Sequence, residues 1–323
     1  MNVKDIWGKV KSKYSIYIVL VVMFFICWLA NKNFVSFENL TNISRQISVG
    51  TILAFGETIL IISGMLDLSS ASVLAFSGVL SVSVYLMTRS LLVAFFVGIA
   101  VSVVCNIITA IIVTRYNVPT FIATLSMMAM ARGAALLYTN GQNIYQIGDY
   151  TVFGQGYILG IPTPVIFLAV ILVITWYLLR HTRFGRSIYA IGGNEEAAIA
   201  SGINVKANKI IAYIINGVYV GVAGVLFMSR NNVGLPNGAI GYEFTALTAA
   251  VIGGTSMSGG IGSAAGTVAG AFIVGFLDNI MVLSGVNSYL QEIVRGGIIT
   301  LAVAYDIYAK NRRTKRKLGS IKA

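Results

Sequence analysis

The sequence predicts an all-α polytopic membrane protein with about ten transmembrane helices. Three observations carry that class. Of the 323 residues, 57% are hydrophobic and only 11% are charged, whereas a soluble domain carries about 25% charged residues. Several apolar runs approach or exceed the roughly 18–20 residues that cross a bilayer. Four prolines and 34 glycines suit helices packed closely through small residues. Length alone suggests about two soluble domains. The apolar runs override it, and residues 1–323 read as a single transmembrane domain.

The elements follow in order. Lys4, Lys9, Lys11 and Lys13 precede the first apolar run. No small-residue cleavage pattern follows, so the run reads as a retained first helix rather than a signal peptide. The predicted spans are 15–30, 47–63, 69–87, 91–114, 120–138, 164–179, 210–228, 243–254, 264–283 and 288–305. Spans two and three, and spans eight and nine, are parted only by short Gly/Ser-rich breaks. The longest segment between spans on the far side, 139–163, opens with TNGQN, which is turn chemistry. Cys27 and Cys105 fall in apolar segments and read as packed thiols, with no disulfide between them.

Lys and Arg set the orientation. With alternating spans, 17 of them fall in 1–14, at Arg115, in 180–209 and in 310–323. Only Lys32, Arg45, Arg89 and Arg230 fall on the opposite side. Both termini are therefore expected in the cytoplasm, with 1–14 as the N-terminal segment and 307–323 as a basic tail. The net charge of +12 reflects this bias and does not point to nucleic acid; the basic run 310–317 reads as a solvated tail beside the bilayer. Five spans per half make the halves opposite in orientation, an inverted repeat of five plus five. The Gly/Ser breaks at 63–72 and 253–263 do not occupy the same rank in each half.

Residues 181–209 form the one long polar interruption, and the loop is expected in the cytoplasm. It carries Arg183, Arg186, Lys206 and Lys209. Within it Asn194 suits a helix N-cap, Glu195 and Glu196 suit a first turn, and Gly202 suits the end. So short a helix buries no core of its own. It is either a passive turn or a docking element for another protein.

Enzyme signatures are absent, so no catalytic residue and no metal ligand is expected. There is no H-E-x-x-H, no G-x-S-x-G and no G-x-x-x-x-G-K-[ST]. His181, the single histidine, sits between basic residues and reads as interfacial. The glycines of 259–262 lie between apolar spans and suit close packing better than phosphate binding. Ionisable residues at membrane depth are costly. Glu57, Asp67, Arg132, Asp278, Glu292 and Arg295 are the cases here. A polar pathway for a hydroxyl-rich solute and simple pairing between helices both account for them, and Asp67 also suits a cap for the third span. For Arg132, Glu292 and Arg295 pairing is the better account. Acids this scattered argue against a proton- or sodium-coupled carrier, which leaves the energy source on another chain.

Six motifs in order carry a resemblance: LDLS at 66, VPTFIATL at 118, RGAALLYTNG at 132, HTRFGRSIYAIGGNEEAAIASGINV at 181, GYEFTALTAAVIGGTSMSGGIGSAAGT at 241 and SYLQEIVRGGII at 288. With them the chain resembles the permease subunits of bacterial ATP-binding-cassette importers for simple sugars, and within these the ribose permeases. The resemblance implies a multi-pass protein of the bacterial inner or plasma membrane. It implies a homodimer of this chain, a cytoplasmic ATPase subunit that holds ATP and Mg, and an extracytoplasmic sugar-binding protein. The 181–209 loop is then the coupling segment, with Gly193, Asn194, Glu195, Glu196, Ala197, Ala198, Ser201 and Gly202 at the ATPase. The solute is a monosaccharide, a ribose-like pentose or a hexose, moved inward by alternating access. Glu57, Asp67, Ser69, Thr255, Ser256 and Asn279 are the pathway candidates, chosen as polar residues within or beside apolar spans. The chain departs from the family pattern at Met65 and Ala71, where glycines are common, so a pathway at this break would be narrowed by Met65. The same importer type for a nucleoside or a signalling furanose is the first alternative. A stand-alone carrier or channel is the second.

Overall fold

The computed structural model describes the backbone of residues 3–321 and the side chains of residues 16–304 and 306–308. The lysines before residue 14 and the basic run 310–317 lie outside the described side chains.

Every predicted span falls on a helix. In chain order these are α1 (Val3–Ala30), α2 (Phe37–Ile62), α3 (Ser70–Thr88), α4 (Leu91–Arg115) and α5 (Thr120–Thr139). After a short α6 (Val152–Gln155) and a two-stranded hairpin, β1 (Tyr157–Ile158) with β2 (Ile161–Pro162), comes α7 (Thr163–His181). Two short helices, α8 (Arg183–Gly193) and α9 (Glu195–Ala200), lead into α10 (Val205–Asn231). The chain continues with α11 (Tyr242–Ile252), α12 (Ala264–Leu283) and α13 (Ser288–Ile321).

Among the described residues, seven of these helices, α2, α3, α4, α5, α7, α10 and α12, are long and apolar enough to cross a membrane. Residues 16–30 and α11 are apolar but shorter. At 11 residues, α11 covers about 16 Å of a hydrocarbon core about 30 Å thick. The segments flanking it are irregular. Arg132, seven residues before the end of α5, donates to the carbonyls of Pro236 and Gly238 at 2.9 Å each. A guanidinium in a span is thereby employed on backbone acceptors that would otherwise go unpaired at membrane depth.

α2, α3 and α10 form the centre, and they are the most buried of the long helices. Small residues set their spacing. A side chain at Gly217 would strike the backbone of α4 at Val103, and one at Gly221 would strike Ile99. At Gly224 it would meet the Leu74 carbonyl of α3. Helices without a water-driven attraction gain from such close backbone approach. Near one end, Phe24, Phe34 and Phe276 make edge-to-face contacts that join α1 to α12. Cys27 and Cys105 are buried free thiols.

The 139–163 segment is more structured than turn chemistry alone suggests. Tyr150 is fully buried, and its hydroxyl lies 2.7 Å from Oγ of Ser81. Gly154 N–H donates to Ser229 Oγ, which itself donates to the Tyr150 carbonyl. These bonds fix α6 over the end of α10.

Candidate functional site

The polar interruption holds two helices where one was expected. α8 is amphipathic: Gly185, Ile188 and Ile191 face inward, while Arg183 and Arg186 are exposed. Its N-cap is Thr182, whose Oγ1 accepts from Gly185 N–H at 3.0 Å. The second helix, α9, begins at the predicted cap. Asn194 Oδ1 accepts from Ala197 N–H at 2.9 Å. Gly202 ends it with φ +78°, and the Ile203 N–H returns to the Ala198 carbonyl, the left-handed closure that favours glycine. Of α9 only Ala198 is buried, packed with Ile191 and Val205. Ile199 is 59% exposed, and Glu195, Glu196 and Ala197 face outward beside it. Glu195 pairs with Lys209 at 2.8 Å.

Inward of this exposed elbow lies a backbone joint. In the last turn of α8, Gly192 rests on the Ile62 carbonyl at the end of α2 and on Gly260. Gly260 N–H donates to that same carbonyl at 2.8 Å. Gly259 and Gly260 have φ of +82° and +72°, and Gly259 lies against the backbone of Gly192. Tyr189 donates to the Gly262 carbonyl at 2.7 Å, and burial pushes its hydroxyl pKa up. The far side of the 253–263 segment reaches α13. Ser256 Oγ and Met257 N–H both donate to Asp306 Oδ2 at 3.1 Å. The glycines of 259–262 thus serve close packing, as their sequence context suggests.

A second polar group lies within the bundle. α2 terminates at Gly64, φ +78°, and the break turns Asp67 inward. Asp67 Oδ1 accepts from Ser69 N–H at 2.8 Å and from Ser69 Oγ at 2.5 Å, which caps the approach to α3. Asp67 Oδ2 accepts from Asn216 Nδ2 at 2.8 Å. The same Nδ2 donates to Asn106 Oδ1 at 2.9 Å. Asp67 N–H donates to Glu57 Oε2 at 3.3 Å, and Tyr213 donates to the Leu66 carbonyl. Glu57, Asp67, Ser69, Asn106 and Asn216 are all at most 2% exposed. Glu57 Oε1 and Asn216 Oδ1 have no hydrogen-bond partner among the described residues.

The structure brings some of the six pathway candidates together and leaves others apart. Glu57, Asp67 and Ser69 meet in the closed cluster. Ser256 belongs to the joint with α13. Thr255 is buried with its hydroxyl unpartnered among the described residues. Asn279 exchanges amide hydrogen bonds with Asn39 at 3.1 and 2.9 Å, tying α12 to α2. Met65 is buried in the core. Asn106, Tyr213 and Asn216 were not anticipated. The signal for the two amides was their position inside apolar runs, where an unpaired amide is costly. Asp278 and Arg295 pair at 2.8 Å between α12 and α13. His181 packs on Trp176 and Tyr177 at the end of α7.

Comparison with known proteins gives consistent matches. A family model described as the permease component of a branched-chain amino acid transport system matches residues 39–303. The ribose import permease protein RbsC of Escherichia coli K12 is 42% identical over 90% of this chain and 92% of its own length. RbsC of Bacillus subtilis is 38% identical, over 92% of this chain and 93% of its own. The L-arabinose transport system permease protein AraH of E. coli K12 is 35% identical, over 95% of this chain and 94% of its own.

Proposed function

The chain belongs to the family of transport-system permease components, and from that membership we propose that it passes a ribose- or arabinose-like monosaccharide inward by alternating access. It is the membrane-embedded permease of an ATP-binding-cassette importer, and the ATPase is a separate subunit. The observation that carries the sugar reading is near full-length similarity to permeases named for ribose and for L-arabinose.

The finer architecture belongs to the same proposal. The ten helices α1 to α5, α7 and α10 to α13 cross the membrane as ten spans of one domain, six before the elbow and four after it. Both termini and α8–α9 then face the cytoplasm, where Lys and Arg concentrate. The chain works as a homodimer with a cytoplasmic ATPase that binds ATP and Mg, and with an extracytoplasmic sugar-binding protein. Gly193, Asn194, Glu195, Glu196, Ala197, Ala198, Ser201 and Gly202 form the docking element. Exposed Ile199 beside two carboxylates supports this, since a six-residue helix turned outward has little other use. ATPase movement against α9 passes to α8, through the Gly192–Gly260 contact to α2, and through Ser256 and Asp306 to α13. A rigid chain of backbone contacts suits rocking of packed helices.

Glu57, Asp67, Ser69, Ser256 and Asn279 serve transport in this reading by holding α2, α3, α10, α12 and α13 in register, and Thr255, buried with its hydroxyl unpartnered among the described residues, is the candidate left to meet solute. A stand-alone carrier makes a different prediction, solute movement without an ATPase. Co-purification with the ATPase subunit tests the docking. The wild type should retain it, and a variant with Gly and Ser replacing residues 195–200 should release it. In vesicles, uptake of D-ribose or L-arabinose should require ATP. Uptake of either sugar without the ATPase would refute the importer reading, and uptake of a nucleoside alone would refute the sugar.

A further inference from the structure

A cavity of about 300 Å³ lies between α11, α12 and α13. A smaller space of about 80 Å³ adjoins it between α2, α11 and α12. Thr245, Asp278 and Arg295 border both. The ion pair joining α12 to α13 therefore stands where the two spaces meet. None of the six pathway candidates lines either space.

The larger volume is at the lower end of the range for small-molecule sites. Its walls alternate in chemistry. Glu243, Thr245, Thr248, Asp278 and Arg295 are polar, and Phe244 and Leu277 offer apolar surface between them. Asp278 Oδ1 accepts from Arg295 Nε, and the two NH₂ groups of Arg295 have no other partner among the described residues. Glu243 is 7% exposed, and its Oε2 is buried with no partner among the described residues. The site thus offers free donors, a free acceptor and the Thr245 hydroxyl, which donates to the Gly241 carbonyl at 3.1 Å and keeps its oxygen to accept.

We propose that this cavity is a transient binding site for one monosaccharide ring, with Thr245, Glu243 and the Asp278–Arg295 pair meeting its hydroxyls. A sugar hydroxyl donates and accepts at once, so it bridges a carboxylate and a guanidinium without disturbing their pairing. Carbon-bound faces of the ring suit Phe244 and Leu277. A simple anion would face Glu243, Asp278 and Glu292 in the lining against Arg295, with Arg132 acting on Glu243 from behind it. A simple cation would have to compete with Arg295 for Asp278. A neutral polyol meets neither penalty. This inference rests on the monosaccharide reading above and adds the place where the sugar touches the permease.

The test uses the full complex in membrane vesicles. Thr245→Cys is labelled with a small water-soluble thiol reagent, the native cysteines being buried. D-ribose or L-arabinose should slow labelling, and leucine should not. Thr245→Val and Arg295→Lys should each lower uptake about tenfold, the loss of roughly one hydrogen bond to the sugar. Co-purification of the ATPase should be unchanged for Thr245→Val, which separates a site effect from misfolding. If wild-type vesicles import a sugar, yet labelling is indifferent to sugars and Thr245→Val imports normally, this site is wrong and the importer reading stands. Protection by leucine in place of the sugars overturns the ligand class. If the wild type imports neither sugar, the functional reading fails and this inference fails with it.

Discussion

The side-chain amide of Asn216 donates to two acceptors, Asp67 Oδ2 at 2.8 Å and Asn106 Oδ1 at 2.9 Å. One residue of α10 thereby fixes the break after α2 and the middle of α4. Asn216→Ala leaves both acceptors buried without a donor. Each orphaned group costs about 1–3 kcal/mol, so the variant should lose roughly 2–6 kcal/mol of stability. Thermal unfolding in detergent should show a drop of several degrees. A melting temperature within one degree of wild type would mean that water or a neighbour replaces the amide.

The two carboxylates of the cluster differ in what they do. Asp67 accepts from two donors on Ser69 and from one on Asn216. In Asp67→Asn an NH₂ group must face one of those donors, which should cost about 1–3 kcal/mol. Glu57 accepts one long bond from Asp67 N–H, and its Oε1 is unpartnered among the described residues. Glu57→Gln keeps an acceptor for that N–H and removes a carboxylate from a buried site beside another. It should leave stability unchanged within about 1 kcal/mol or raise it. Paired melting curves decide the matter, and a Glu57→Gln loss larger than that of Asp67→Asn would contradict the assignment.

On the elbow, cap and ion pair are expected to separate. Lys209 and Glu195 pair at an exposed position, the glutamate side chain 49% accessible. Such pairs contribute under about 1 kcal/mol, so Lys209→Ala should leave ATPase co-purification near wild type. Asn194 instead caps a helix of six residues. Losing an N-cap costs about 1 kcal/mol, a large share for a helix too short to persist alone. Asn194→Ala should lower ATPase recovery several-fold, and Asn194→Asp should restore it. Equal retention in all three variants would remove α9 from the interface.

The long elements were legible because hydropathy and caps agree there. Span 264–283 coincides with α12, opened by the Ser263 cap, and α9 begins at the predicted Asn194. α2 starts ten residues before its predicted span, because Glu38, Asn39, Thr41, Asn42 and Arg45 carry helix without hydropathy. α8 was hidden because its inward face is Gly185, Ile188 and Ile191, a pattern broken up by arginines and glycines. The site was less legible. Glu57, Asp67 and Ser69 were found as polar residues near one break. Asn106 and Asn216 carry no charge, and their contact spans 110 positions of chain, so nothing local marks the pair. The cavity beside Thr245 depends on how α11, α12 and α13 diverge, which no single stretch of sequence encodes.

Adjacent glycines at the end of α8 give the sharpest test of mechanical coupling. A methyl group on Gly192 would overlap the Ile62 carbonyl and approach Gly260 N. One on Gly193 would meet nothing within 4 Å. Gly193→Ala should therefore be tolerated in folding, and whatever ATPase it retains should drive uptake at the wild-type ratio of transport to hydrolysis. Gly192→Ala must push α8 away from α2 and strain the Gly260 N–H bond to Ile62. The exposed surface of α9 is untouched, so the ATPase should still co-purify. Movement at α9 would then reach α2 and the 253–263 segment poorly. The expected signature is ATP hydrolysis near wild type with uptake reduced about tenfold or more, the effect of a displacement near 1 Å on a geometry-dependent step. Measuring both rates in the same proteoliposomes separates the cases. Parallel loss of hydrolysis and uptake would indicate a folding defect. Normal uptake in Gly192→Ala would show that force reaches the bundle by a route other than this joint.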